Sequence, residues 1–243
     1  MTTPKKGLAS RVSRLTARAQ DGKLPDYLIL HIGKTGGTSI GRCLRKARKH
    51  GYDPRIGKLG HQFGLKSVME ACPDRKVGFV VRAPESRFVS GFNSRLRSGR
   101  PAHARPWKTA EAAAYAFFPT ANDLAEALYS DDERLLSAAR FAMRAIPHLR
   151  RNLAFYLGGI DLLEAAGDRI YCVAEVETLD TDIYRLLGVG GLTREHIAAL
   201  YQPDHQAPYD SPPLSEKGRA NLQAFWAKDY EIYAYCRAHL LGR

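Results

Sequence analysis

The amino-acid sequence predicts an α/β protein, a parallel sheet with helices on both faces and an α-helical insertion. Short apolar runs recur at 27–32, 77–81 and 169–174, the second continuous enough to be buried on both faces of a parallel sheet. The first two pass at once, through glycine or proline, into helical periodicity, which implies strand-helix units side by side. Between 108 and 157 the text reads mainly as helix.

In chain order, residues 1–23 are basic, with no acid before Asp21, and place Leu8, Val12, Leu15 and Ala19 at helical spacing. The apolar stripe is thin, so the expectation is a flexible tail, capable at most of weak contact with a membrane surface or an acidic partner, ahead of one domain over 24–243. Tyr27–Ile32 opens the folded part and runs into Gly33-Lys34-Thr35-Gly36-Gly37-Thr38-Ser39. A helix follows, with Ile40, Cys43, Leu44 and Ala47 on one face and Arg42, Arg45, Lys46, Arg48 and Lys49 on the other. Val77–Val81 is the second strand; Arg82-Ala83-Pro84 leads into a helix over about 85–95, with Pro84 suited to its first turn. Helices are expected at 109–118, 121–129 and 131–146, the last behind the acidic start Asp131-Asp132-Glu133. A strand over 169–174 precedes Glu175 and a helix through Leu179, Ile183, Leu186 and Leu187, and helices close the chain over 215–239.

With 243 residues and 44% hydrophobic content, the chain supports one sizeable core. No apolar run approaches the roughly 18 residues of a membrane span, and the N-terminus has no apolar secretory core, so a cytoplasmic protein is expected. Cys43, Cys72, Cys172 and Cys236 lie far apart, a spacing that suits neither a zinc site nor a disulfide framework. Lysine and arginine number 37 against 25 acids, a net charge of +12 that draws polyanions of any kind. A nucleic-acid-binding module is the reading from charge alone, but no zinc-finger spacing, RNA-recognition aromatic motif or clear recognition helix accompanies it.

The glycine loop carries the most chemistry. A strand delivering the chain through Gly33–Ser39 into a helix aims backbone N–H groups and the positive helix end at one place, which suits an anion. Gly33, Gly36 and Gly37 permit close approach, Lys34 adds a mobile charge, and Thr35, Thr38 and Ser39 offer hydroxyls. A kinase-like nucleotide-triphosphate enzyme is the alternative reading, but here the lysine precedes the paired glycines, the reverse of the nucleotide-triphosphate loop, which counts against it. Arg82 ends the next strand and Arg87 and Ser90 follow on its helix; two anion-binding devices at neighbouring strand ends suit a ligand with two separated phosphates.

His31-Ile32-Gly33-Lys34-Thr35-Gly36-Gly37-Thr38-Ser39 resembles the 5'-phosphosulfate loop of the carbohydrate-type sulfotransferases, and Arg82-Ala83-Pro84-Glu85-Ser86-Arg87-Phe88-Val89-Ser90-Gly91-Phe92 resembles their 3'-phosphate motif. The similarity extends more weakly through 174–179, 187–189, 214–216 and 229–233. It implies a three-layer, P-loop-like sulfotransferase fold binding 3'-phosphoadenosine 5'-phosphosulfate without a metal. Gly33, Lys34, Thr35, Gly36, Gly37, Thr38 and Ser39 would hold the 5'-phosphosulfate, and Arg82 with Ser90 the 3'-phosphate. The acceptor it implies is a hydroxyl, on a saccharide or glycolipid. Gly33 replaces the family's proline and Ala83 its aspartate, a natural helix N-cap worth roughly 0.5–2 kcal/mol.

Sulfuryl transfer to an alcohol needs a base, and His61, in Leu59-Gly60-His61-Gln62, is the expected one, acting with Lys34 at the reacting centre. His31 reads as a packed strand residue, His205 is a rival base, and Glu175 could orient an acceptor. The run Arg95–Arg105 could meet an anionic acceptor or lie in solvent.

Overall fold

The computed structural model describes residues 5–22, 24–100, 104–203 and 213–242. In chain order the helices and strands are α1 (Lys5–Gln20), β1 (Tyr27–Leu30), α2 (Gly37–Lys49), β2 (Ile56–Lys58), α3 (Leu65–Ala71), β3 (Lys76–Val81), α4 (Pro84–Leu96), α5 (Thr109–Phe117), α6 (Ala121–Ala127) and α7 (Glu133–Ala145). They continue as α8 (Pro147–Arg150), α9 (Leu153–Leu157), α10 (Ile160–Ala166), β4 (Ile170–Glu175), α11 (Leu179–Gly188), α12 (Arg194–Leu200), α13 (Glu216–Phe225) and α14 (Ala227–Tyr235). By its internal contacts the chain groups into two compact units. Met1–Arg82, Ala154–His205 and Ala234–Arg243 form the first, Ala83–Leu153 and Gln206–Tyr233 the second. The reason is that the helical insertion has an apolar core of its own.

The first unit is α/β. Its four strands are all parallel, in the order β2-β1-β3-β4. Ile29, Val80, Cys172 and Ala174 pack with Ile40, Leu44 and Ala47 of α2, Ile183 and Leu187 of α11, and Ile197 of α12. The alternate residues Leu28, Leu30, Phe79, Val81 and Val173 are equally buried. Burial of both faces is what the unbroken apolar strands require. The four cysteines are free thiols, all buried, and burial raises their pKa, that of Cys172 to about 11.

Residues 5–20, expected as part of a flexible tail, form α1, which packs on α3. Leu15, one of the helically spaced apolar residues, is fully buried, so a thin stripe suffices where a neighbouring helix covers it. Among the described residues no helix is long and apolar enough to cross a membrane.

The second unit is helical. Phe88 and Phe92 of α4 pack with Leu124 of α6, Ala139 and Met143 of α7 and Trp226 between α13 and α14. The acidic start before α7 caps it as expected, with Asp132 Oδ1 accepting from the backbone N–H of Arg134 at 2.8 Å. Arg95 donates to Glu111 at 2.6 Å and its guanidinium also reaches the carbonyls of Arg105 and Pro106. Both side chains are buried, so the first cation of the run Arg95–Arg105 is committed to an internal ion pair. His103 of that run lies outside the described residues.

Candidate functional site

Parallel strands place their carboxyl ends on one side, and the order β2-β1-β3-β4 sends the chain from β1 one way, to β2, and then back past it to β3. The carboxyl ends of β1 and β3 therefore flank a point where connections diverge, the usual ligand position in an open α/β sheet. Leu30 pairs with Phe79 and Ile29 with Lys58, so three chain segments arrive together: the loop after Leu30, the segment after Lys58 that holds His61, and Arg82 just past β3.

The loop is a tight structure. Ile32 N–H donates to Leu30 O at 3.1 Å and Thr35 Oγ1 donates to Ile32 O at 2.9 Å. Lys34 sits at φ 72, a left-handed conformation that costs a non-glycine residue roughly 1–2 kcal/mol. Gly36, at φ 74, is the N-cap of α2 and provides no side-chain cap. The first intrahelical bond runs from Ile40 N–H to Gly36 O, so the N–H groups of Gly37, Thr38 and Ser39 lie ahead of the helical ladder at its positive end. This arrangement is able to hold an oxyanion by backbone and dipole. Thr38 is exposed and Ser39 buried, and the Thr35 hydroxyl donates to Ile32 O within the loop. Gly33 is buried beside Lys34, which is half-buried.

His61 and His31 stand face to face, their ring centroids 3.6 Å apart with an interplanar angle of 32°. His31, read from sequence as a packed strand residue, lies past the end of β1, half-buried. Its Nδ1 is 2.9 Å from Lys58 Nζ. Its Nε2 abuts Gly37, where an added Cβ would come within 2.0 Å of it, so only glycine fits there. Burial first, and the Arg45 charge second, lower the Lys58 pKa. Lys58 is the residue that sequence reasoning missed, because a three-residue strand with one large apolar side chain gives no periodic signal. Glu175 ends β4 opposite Val81, nearly buried, with Arg237 Nε at 3.6 Å.

Ser90 belongs to the second unit, on α4. It is 2% exposed, and its hydroxyl oxygen is buried with no hydrogen-bond partner among the described residues, as is Asn93 Nδ2 one turn on. Such a group is costly to leave unanswered unless a ligand supplies the partner. Arg87 is 1% exposed and donates to the carbonyls of His148 and Arg151, with Trp226 beneath its guanidinium at 5.9 Å. It ties together the second unit's own chain, and its Nη1 is buried with no hydrogen-bond partner among the described residues. His205 lies outside the described residues. Among those described, no group of three or more His, Cys, Asp or Glu side chains is placed to hold a metal ion. A scan against protein-family models and a search of curated proteins return no match to this chain.

Proposed function

We propose that the chain transfers a sulfuryl group from 3'-phosphoadenosine 5'-phosphosulfate to a hydroxyl, on a saccharide or glycolipid. The observation that carries the reading is one juxtaposition: an uncapped helix N-terminus behind a strained lysine, with two stacked imidazoles beside it. The first part is an oxyanion cradle and the second a source of near-neutral acid-base chemistry. The motif resemblance names the anion, with Gly33–Ser39 on the 5'-phosphosulfate and Arg82 on the 3'-phosphate.

The donor supplies the sulfuryl group. His61 takes the proton of the acceptor hydroxyl as its oxygen bonds to sulfur. The bond from sulfur to the bridging phosphate oxygen breaks, and the charge that leaves with adenosine 3',5'-bisphosphate is met by Lys34 and the N–H groups of the loop.

The test is thermal unfolding with adenosine 3',5'-bisphosphate, with ATP and magnesium, and with neither, for wild type, Lys34→Ala and Arg82→Ala. At about 100 times its dissociation constant a ligand adds roughly 2.7 kcal/mol, or on the order of 5–10 °C for a chain of this size. A rise with the bisphosphate alone, reduced in both variants, is the expected result. A rise only with ATP and magnesium overturns the proposal in favour of a nucleotide-triphosphate enzyme.

A further inference from the structure

We infer that Lys58 is a positioning residue that fixes the tautomer of His31, turning His31 Nε2–H into a donor for the anion at the N-terminus of α2 and leaving His61 as the base. The inference rests on the reading above for the identity of the anion, but its first half does not.

An ammonium group has only donors, so with Lys58 Nζ 2.9 Å from His31 Nδ1 the ring nitrogen must accept. A neutral imidazole that accepts at Nδ1 carries its proton on Nε2. That nitrogen is the one lying against Gly37, the first residue of α2, whose N–H groups already make an anion site. The proton is therefore held on the side of the ring that faces the cradle. The Lys58 side chain passes close over α2, where a Cβ at Gly41 would come within 2.8 Å of Lys58 Cε.

The charges around the pair divide the labour between the two histidines. Lys58 from β2 lies against His31, the Arg45 charge from α2 acts in turn on Lys58, and the His61 ring covers the face of His31. A second positive charge on His31 would sit against Lys58, and one on each ring would place two imidazoliums 3.6 Å apart. His31 thus works as a fixed neutral donor, while His61 exchanges the proton.

Long-range proton–nitrogen spectra of the full chain labelled with 15N-histidine test this, with His31 signals assigned by loss in His31→Gln. Above the imidazole titration range, wild type is expected to show a bare Nδ1 and a protonated Nε2 at His31. Lys58→Met should give a mixture of tautomers, and Lys58→Arg, which still donates, should restore the single form. Adenosine 3',5'-bisphosphate and inorganic pyrophosphate should each move the Nε2 resonance, with bisphosphate affinity falling about tenfold in Lys58→Met and recovering in Lys58→Arg. A protonated Nδ1 in wild type overturns the inference without any variant having to fold, and so does a His31 that responds to neither anion. A response to pyrophosphate but not to the bisphosphate upholds it and overturns the sulfuryl-donor reading instead.

Discussion

Lys34 combines two costs that stability and binding measurements can separate. At φ 72 its backbone is strained, and under the proposed function that strain is kept for the charge Lys34 brings to the ligand, since a glycine would relieve it. Lys34→Ala removes the charge but keeps a Cβ in the left-handed region; Lys34→Gly removes both. Chemical denaturation should therefore find Lys34→Gly about 1 kcal/mol more stable than Lys34→Ala, while both lose bisphosphate affinity. If the two variants are equally stable, the loop does not hold this conformation in solution. The same scale explains what a motif conceals. Thr35 and Arg87 both fall on ligand-like positions of the sequence, yet one hydroxyl bonds Ile32 O and the other guanidinium bonds His148 O and Arg151 O.

Among the elements, the long periodic ones were legible: α2 by Ile40, Cys43, Leu44 and Ala47, β3 and β4 by continuous apolar runs, and α7 by its acidic cap. The anion loop was legible because its code is local, glycines and hydroxyls within seven residues. β2 was not, being Ile-Gly-Lys, and the contact it enables joins residues 27 apart in sequence, which no local pattern records. α1 was misjudged because its apolar stripe has value only once α3 is there to cover it. At the start of α4, sequence and structure agree that a cap is missing: Ala83, at φ -49 and ψ 130, is the N-cap and offers no side-chain acceptor. Its extended backbone suits aspartate. Ala83→Asp should gain about 1 kcal/mol, seen as an increase of roughly 2–4 °C in Tm. An unchanged or lower Tm would mean that the first-turn N–H groups of α4 are already satisfied.

For the molecule as a whole, the outstanding quantity is the excess of 37 basic over 25 acidic residues, and the question is whether it marks a nucleic-acid site or only a field. Charge of one sign over a whole surface attracts any polyanion, with an affinity that depends on salt and little on which cations are present. A dedicated site depends on a few. Lys49, Lys76 and Arg140 are exposed residues on α2, β3 and α7, scattered over both units, and reversing all three to glutamate removes two charges each, taking +12 to +6. The triple variant should elute from immobilised heparin and from duplex DNA at clearly lower salt than wild type. Lys34→Ala, which removes one of the twelve excess charges, should move elution by a correspondingly small step while weakening bisphosphate binding. That separation would assign polyanion retention to the field and specific recognition to the loop. If the triple variant is retained as strongly as wild type, the basic residues form a localised polyanion site, and nucleic acid or an acidic polysaccharide becomes a specific partner.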